Sequence, residues 1–594
     1  MVIETEEQGR IDKLDRIPNY EKEPVISAGP PGSLTVGWDA VAAQLGATGA
    51  RVIVIEAYPG VHRHDLEEIA ARLDPELAMF SEDALKPAKE IDQMVADDLT
   101  DDPVFGRISG LQLGDFFDAS ALNKIAERIS QTHGRVIIYG PGASLVSRGD
   151  LVVYADLARW EIQQRQRSFQ IGNLGAENEE QEAFLKYKRA FFVDWRVADR
   201  HKVEMMDAID FLLDTNEPGR PKMVDAGTAW RALDKVAAGP FRVVPFFDPA
   251  PWGGQWMKRV CDLDPTPVNY GWCFDCVPEE NSLLLGFGTE RIEMPSINLI
   301  FRNPRQLLGG RVFERFGPEF PIRFDFLDTM EGGNLSLQVH PLTEYIREHF
   351  GMPYTQDESY YLLDAGSDAT VYLGLKTGAD PGSMAEDLRR AEDGVYHFPD
   401  EKYVNRFPAR RHDHFLIPAG TVHCSGANSL VLEISATPYI FTFKLWDWDR
   451  LGLDGRPRPV HVDHGIRSIQ WDRDTDFAIK QLINQVSPIS SGDGWRRERT
   501  GLHEAEFIET HRDWFTGRAP HDSDLGVNVL NLVQGEEAVI ESLDGGFEPF
   551  VVHYAETFIV PQDAGAYTIR PSGVAHGTEC ATIKAFVRNE MAAR

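Results

Sequence analysis

The chain has 594 residues, 42 % of them apolar, and carries 60 Lys+Arg against 93 Asp+Glu for a net charge of −33. At roughly 150 residues per domain this length suggests about three or four domains. The acidic balance argues against nucleic acid or an anionic membrane surface as a general partner, while leaving room for a small anionic substrate in a locally basic pocket.

The N-terminus, Met1-Val-Ile-Glu-Thr-Glu-Glu7, is acidic and lacks the apolar core of a signal peptide. With no apolar run of about 18 residues to span a bilayer, the expected location is the cytoplasm. After a Pro/Gly cluster at 29–32, strand-like and helix-like segments alternate. Arg51-Val-Ile-Val-Ile-Glu56 reads as a strand and His64 to Leu73 as a helix. Arg135-Val-Ile-Ile-Tyr139 and Leu151-Val-Val-Tyr-Ala155 read as further strands, and a charged helix follows from about Arg159. This order predicts an α/β unit over residues 1–240, with a parallel sheet flanked by helices.

The pattern changes near Gly239-Pro240. Short strands then dominate: Phe241–Phe247, Ser282–Gly286, Leu335–His340, Tyr360–Leu363, Thr370–Leu373, Phe415–Ile417, Ser429–Glu433 and Tyr439–Phe443. Gly/Pro/Asp turns between them suggest a β-barrel or sandwich over 241–500. Helical insertions are expected near Pro304–Phe316 and Ser383–Glu392. A last β-rich unit is expected over 501–594, with strands at Asn528–Val533, Glu537–Ile540, Glu556–Val560 and Tyr567–Ile569. The five cysteines are too few for a disulfide framework, and the single Cys273-Phe-Asp-Cys276 pair reads as plain thiols.

The stretch Leu335-Ser-Leu-Gln-Val-His340 alternates strictly. Leu335, Leu337 and Val339 face one way, and Ser336, Gln338 and His340 the other. Pro341 limits the strand. Glu358 and His423 arrive from separate segments. Two imidazoles, a carboxylate and an amide oxygen suit Zn²⁺ or another borderline divalent ion.

The surrounding motifs follow one another in order: Leu335–Pro341, Asp357-Glu-Ser-Tyr-Tyr-Leu-Leu-Asp-Ala365, Asp413-His-Phe-Leu-Ile-Pro-Ala-Gly-Thr-Val-His423, Leu432-Glu-Ile-Ser435 and Lys444-Leu-Trp-Asp-Trp-Asp-Arg450. The series resembles type I mannose-6-phosphate isomerases, zinc enzymes of the cupin superfamily. Pro249-Ala-Pro-Trp-Gly-Gly254, Val529-Leu-Asn-Leu-Val-Gln-Gly535 and Phe558-Ile-Val-Pro561 extend the likeness over about Phe241 to Arg594. It implies two cupin barrels with helical insertions, Gln338, His340, Glu358 and His423 as zinc ligands, and Lys444 and Ser336 as catalytic groups. It also implies aldose–ketose interconversion of a sugar or sugar phosphate through a cis-enediol. A homodimer is compatible with this reading.

Three positions depart from that family's pattern. Lys444 replaces its arginine, Gln356 a lysine and Asp325 another lysine, while Ser336 is retained. Lys for Arg keeps the charge but loses the planar fork; the other two changes lose or reverse a charge. The chemistry at the metal is therefore expected to persist while phosphate recognition is open, with Arg323, Lys376, Arg410 or Arg411 as substitutes. The readings left open are an isomerase of a non-phosphorylated sugar and a catalytically silent carbohydrate sensor.

In the N-terminal unit, Val52–Ile55 and Val136-Ile-Ile-Tyr-Gly-Pro-Gly142 resemble uridine-kinase-like P-loop proteins. No G-x-x-x-x-G-K-[ST] is present, so the loop lacks the groups that cradle a triphosphate.

Overall fold

The computed structural model describes residues 18–588, apart from 393, 437–440, 453–454, 456–457 and 502. Val52–Ala57, Val136–Gly140 and Leu151–Asp156 are buried at every position. Such continuous apolar runs belong in the middle of a parallel sheet covered on both faces. They form the centre of a seven-stranded sheet. Strand Val52–Ala57 (β3) lies between Val136–Gly140 (β5) and Leu151–Asp156 (β6), with Leu77–Phe80 (β4) outside β5 and Phe211–Asp214 (β7) outside β6. These five strands run parallel. Lys222–Asp225 (β8) and Thr35–Val36 (β2) complete one edge in antiparallel fashion. Val25–Gly29 (β1) pairs elsewhere, as described below.

From β3 the chain builds β4 and β5 on one side and then crosses over to β6 and β7 on the other, so the carboxyl end of β3 lies at the switch point where open α/β sheets bind ligands. Here the protein's own carboxylates occupy it. Glu56 accepts hydrogen bonds from the backbone N–H groups of Gly142 (2.6 Å) and Ser144 (2.8 Å). Asp156, at the end of β6, is held by Lys202 Nζ at 2.9 and 3.0 Å. Asn298, beyond the α/β unit, closes this network: its amide donates to Asp156 (2.9 Å) and its oxygen accepts from Lys202 (3.1 Å). All three side chains are buried. Removing one partner of such a pair strands the other charge in low dielectric. Lys202→Ala is therefore expected to cost about 3–5 kcal/mol, read as a fall in denaturation temperature. A change within about 0.5 kcal/mol shows that the network does not hold the two parts together.

The β-rich part begins with Phe246–Asp248 (β9) and Trp272–Cys276 (β10), which is shorter than the strand expected over 241–247. Pro245 has no N–H for a ladder, so Phe241 only bridges to Ile559. The expected strand at 282–286 forms as Ser282–Phe287 (β11), but outside the barrel. It pairs with β1 and with Glu290–Pro295 (β12) in a small sheet of its own.

Two sheets enclose the central core. One takes Ile322–Asp328 (β13), Glu358–Ala365 (β15), His414–Ile417 (β18) and Ser429–Ala436 (β20) with β9 and β10. The other takes Leu337–Val339 (β14), Thr370–Leu375 (β16), Val404–Pro408 (β17), His423–Ser425 (β19) and Phe443–Trp446 (β21). Strand β13 was not anticipated, because Arg323, Asp325 and Asp328 interrupt its apolar pattern. All seven of its residues are buried, and Arg323 pairs with Asp325 on the same strand. The expected strand 439–443 lies partly outside the described residues; β21 occupies Phe443–Trp446.

The helical insertions form at Pro304–Leu308, Gly310–Phe316 and Pro381–Ala391. A last pair of sheets packs around Phe515, Leu530, Ile540, Phe558 and Tyr567. Its longer sheet includes Ser487–Gly492 and Trp495–Gly501, upstream of the segment read as its start, because Trp495-Arg-Arg-Glu-Arg-Thr500 lacks apolar alternation. The five cysteines are free and buried. No helix among the described residues is long and apolar enough to cross a membrane.

Candidate metal centre and its pocket

His340 follows β14, Glu358 opens β15 and His423 opens β19. The two sheets thereby bring one ligand-type atom of each residue within 4.8 Å of the others. Among the described residues this is the one group of three or more His, Cys, Asp or Glu side chains close enough to share an ion. His340 Nε2 lies 3.0 Å from Glu358 Oε2, and His423 Nε2 lies 2.8 Å from Glu358 Oε1. Yet His340 Nε2 and Glu358 Oε1 have no aligned hydrogen-bond partner although both are buried. Buried polar atoms are normally satisfied, so lone-pair-bearing atoms this close to one another without a partner indicate atoms aimed at a shared point.

The backbone fixes which ring nitrogen faces that point. His340 Nδ1 meets the carbonyl oxygen of Phe441 at 3.2 Å, and His423 Nδ1 meets that of Thr421 at 2.8 Å. A carbonyl accepts only, so each Nδ1 carries the proton and each Nε2 presents a lone pair, the second-sphere arrangement that metal-binding histidines use. Gln338 is the cross-strand partner of both His423 and Lys444. Its amide lies 3.2 Å from His423 Nε2. Turning the amide over exchanges its nitrogen for an oxygen ligand without moving the chain.

Around this group lies a charged cluster. Arg323 donates to Asp325 and Glu433 at 3.0 Å each, and Gln356 donates to Glu358 (2.9 Å) and Glu433 (3.3 Å). Burial, then the Asp325 and Glu358 carboxylates, push Glu433 well above the usual carboxylate range against the pull of Arg323. Asp325, expected to spoil a cationic site, faces Arg323 and does not line the cavity.

The cavity beside these groups has a volume of about 800 Å³. Ser336, Gln338, Gln356, Glu433 and Lys444 line its floor. Burial, then repulsion by Arg458, lowers the Lys444 ammonium to about 7. It has no ion-pair partner among the described residues, in contrast to the other lining cations: Arg323 is paired as above, Arg458 with Asp447 (2.9 Å) and Arg167 with Asp248 (2.8 Å). The Ser336 hydroxyl donates to Asp447 (2.8 Å), so it helps fix the carboxylate that holds Arg458. Of the four substitute cations named from sequence, only Arg323 lines the cavity. Lys376 turns to the backbone of Glu401, Arg411 to that of Leu363 and Val533, and Arg410 is exposed.

Part of the lining belongs to the α/β unit. Helices Arg159–Arg167 and Ala183–Arg189 supply Trp160, Gln163, Arg167, Phe184 and Tyr187 to the cavity. No sequence pattern linked these residues to the Gln338–His340 strand, because their proximity depends on how two separately patterned units dock.

Over 253 residues the chain is 29 % identical to the probable mannose-6-phosphate isomerase GmuF of Bacillus subtilis, covering 43 % of this chain and 73 % of that protein. Over 233 residues it is 30 % identical to the mannose-6-phosphate isomerase ManA of the same organism, covering 38 % and 66 %. Part of this chain is homologous to mannose-6-phosphate isomerases. Among solved structures, the mannose 6-phosphate isomerase from Bacillus subtilis matches 59 % of this chain and all of that one, at 19 % identity and a TM-score of 0.48. A zinc-bound mannose 6-phosphate isomerase matches the same share at 13 % identity and a TM-score of 0.44. Residues 37–238 match a family described as a domain of unknown function, DUF8485.

Proposed function

We propose that the chain is a Zn²⁺-dependent aldose–ketose isomerase of the mannose-6-phosphate isomerase type, with two cupin barrels and the metal held by Gln338, His340, Glu358 and His423. The observation that carries this reading is the pair of carbonyl-anchored imidazoles that turn both Nε2 atoms to one carboxylate. Two imidazoles with oxygen donors suit Zn²⁺. When bound, the ion supplies Lewis-acid polarisation of the sugar's carbonyl and hydroxyl oxygens. Lys444, on the strand beside Gln338, is placed to offset negative charge that grows on those oxygens as the proton leaves C2. Ser336 and Asp447 keep Arg458 oriented toward the same floor. The α/β unit serves as the outer wall of the pocket rather than as a kinase. Glu56 and Asp156 occupy the carboxyl end of its parallel sheet, where a nucleotide would otherwise have to bind.

The test uses full-length protein loaded with Zn²⁺, with mannose 6-phosphate and fructose 6-phosphate as the first pair and unphosphorylated hexoses beside them. Exchange of the C2 proton with solvent, together with aldose–ketose interconversion, is the expected result. Treatment with a chelator abolishes both and added Zn²⁺ restores them. Absence of exchange with every hexose, hexose phosphate and reducing disaccharide overturns the reading. A non-phosphorylated substrate is the second reading, favoured by the observation that Lys444 is the one lining cation without an ion pair among the described residues.

A further inference from the structure

The cavity is larger than a single sugar phosphate requires, and the charged groups beside its aromatic lining are already paired. About 800 Å³ lies in the upper part of the roughly 300–1,000 Å³ range of small-molecule sites. One hexose, with the bulk of about six waters at about 30 Å³ each, fills roughly a quarter of it.

The outer half has a defined chemistry. Trp160 stacks on Phe246 (4.3 Å between ring centres) and Phe246 on Phe274 (4.6 Å), with Trp272 continuing the strip at 6.0 Å. Phe184, 50 % exposed, also lines the cavity. The polar groups beside these rings are balanced. Arg167 is bound to both oxygens of Asp248 at 2.8 Å, while Gln163 (2.9 Å) and Tyr187 (3.1 Å) donate to Glu280. A phosphate, with nearly two negative charges, requires cationic or N–H groups that are not already neutralised. The far end offers carboxylates, amides and aromatic carbon instead. With the Arg167 guanidinium over the Trp160 ring at 4.9 Å, the stack presents ring edges beside the half-exposed Phe184; a sugar ring matches that set, because its C–H groups lie against these edges and Phe184 and its hydroxyls reach acceptors and amides.

We propose that the substrate is a reducing disaccharide. Its reducing sugar lies over the Gln338–Lys444 floor, and its second ring lies against the aromatic strip that the α/β unit completes with Trp160 and Phe184. The isomerase reading supplies only the identity of the reacting end. The α/β unit thereby acquires a function, the recognition of the second ring.

Binding and turnover are measured separately on the full-length, Zn²⁺-loaded protein. The ligands are mannose, mannose 6-phosphate and 1,4- and 1,6-linked disaccharides with mannose at the reducing end. Calorimetry is expected to show one of the disaccharides bound at least about tenfold more tightly than mannose or mannose 6-phosphate, about 1.4 kcal/mol. Trp160→Ala removes about that factor for the disaccharide and leaves mannose within about twofold. Phe184→Ala, at an exposed position where folding is not in question, shifts the disaccharide in the same direction. Tighter binding of mannose 6-phosphate, equal losses for mono- and disaccharide in both variants, or no disaccharide binding at all overturns the proposal. Disaccharide binding that depends on Phe184 without C2 proton exchange retires the isomerase reading and leaves the second-ring site standing.

Discussion

His340→Ala is expected to strip the metal and to lower turnover by about a thousandfold or more. The imidazole is buried, its Nδ1 is anchored to the Phe441 carbonyl, and its Nε2 faces Glu358. Among the described residues no other His, Cys, Asp or Glu side chain joins His340, Glu358 and His423 at this point. A bound divalent ion contributes several kcal/mol to polarising substrate oxygens, and each 1.36 kcal/mol is a factor of ten in rate. The loss is therefore about three decades or more. Elemental analysis checks the metal, and the C2 exchange assay checks the rate. His423→Ala should behave alike, because its ring is held in the same way by the Thr421 carbonyl. Far-UV circular dichroism distinguishes these outcomes from unfolding. A His340→Ala protein that keeps stoichiometric metal overturns the ligand assignment whatever its activity.

The parts of this molecule that were legible in the sequence are those governed by short-range pattern. The central parallel strands at 52–57, 136–140 and 151–156 declare themselves as apolar runs broken only by Glu56 and Asp156 at their carboxyl ends. The alternation from Leu335 to His340 put Gln338 and His340 on one face, although hydrogen-bonded pairing is confined to Leu337–Val339. Glu358 and His423 were identified through ordered motifs, and the two-sheet arrangement brings them to His340. What pattern could not reveal is long-range or electrostatic. Strand β13 hides because its charged residues are paired within the fold. Arg458 and Asp447 gain meaning only as an ion pair at the pocket floor. Trp160 and Arg167 read as part of a charged helix, and nothing in the sequence indicates that this helix lines the same cavity as Lys444.

Lys444→Met should lower kcat by about 10²–10³-fold while leaving the metal content intact, which separates it from the ligand variants. Lys444 lines the cavity floor on β21, opposite Gln338 in register. The other floor cations are already committed, Arg323 to Asp325 and Glu433, and Arg458 to Asp447. Lys444 is therefore the group free to respond when charge develops on a substrate oxygen. Burial and the nearby Arg458 penalise its charged form, so an anion arriving beside it relieves that penalty as well as gaining a hydrogen bond. Met keeps the length and the apolar stem, so a loss of rate reports the ammonium rather than the packing. Lys444→Arg restores the charge with a planar fork of different reach and should recover part of the lost rate. Substrate binding provides the discriminating readout. If Lys444 serves growing charge in the transition state, Lys444→Met lowers kcat with little change in KM. If it instead holds a phosphate already present on the substrate, KM for mannose 6-phosphate rises and the unphosphorylated sugar is unaffected. One variant assayed on two sugars thus shows whether Lys444, the one lining cation without an ion pair among the described residues, acts on the reaction or on the substrate's tail.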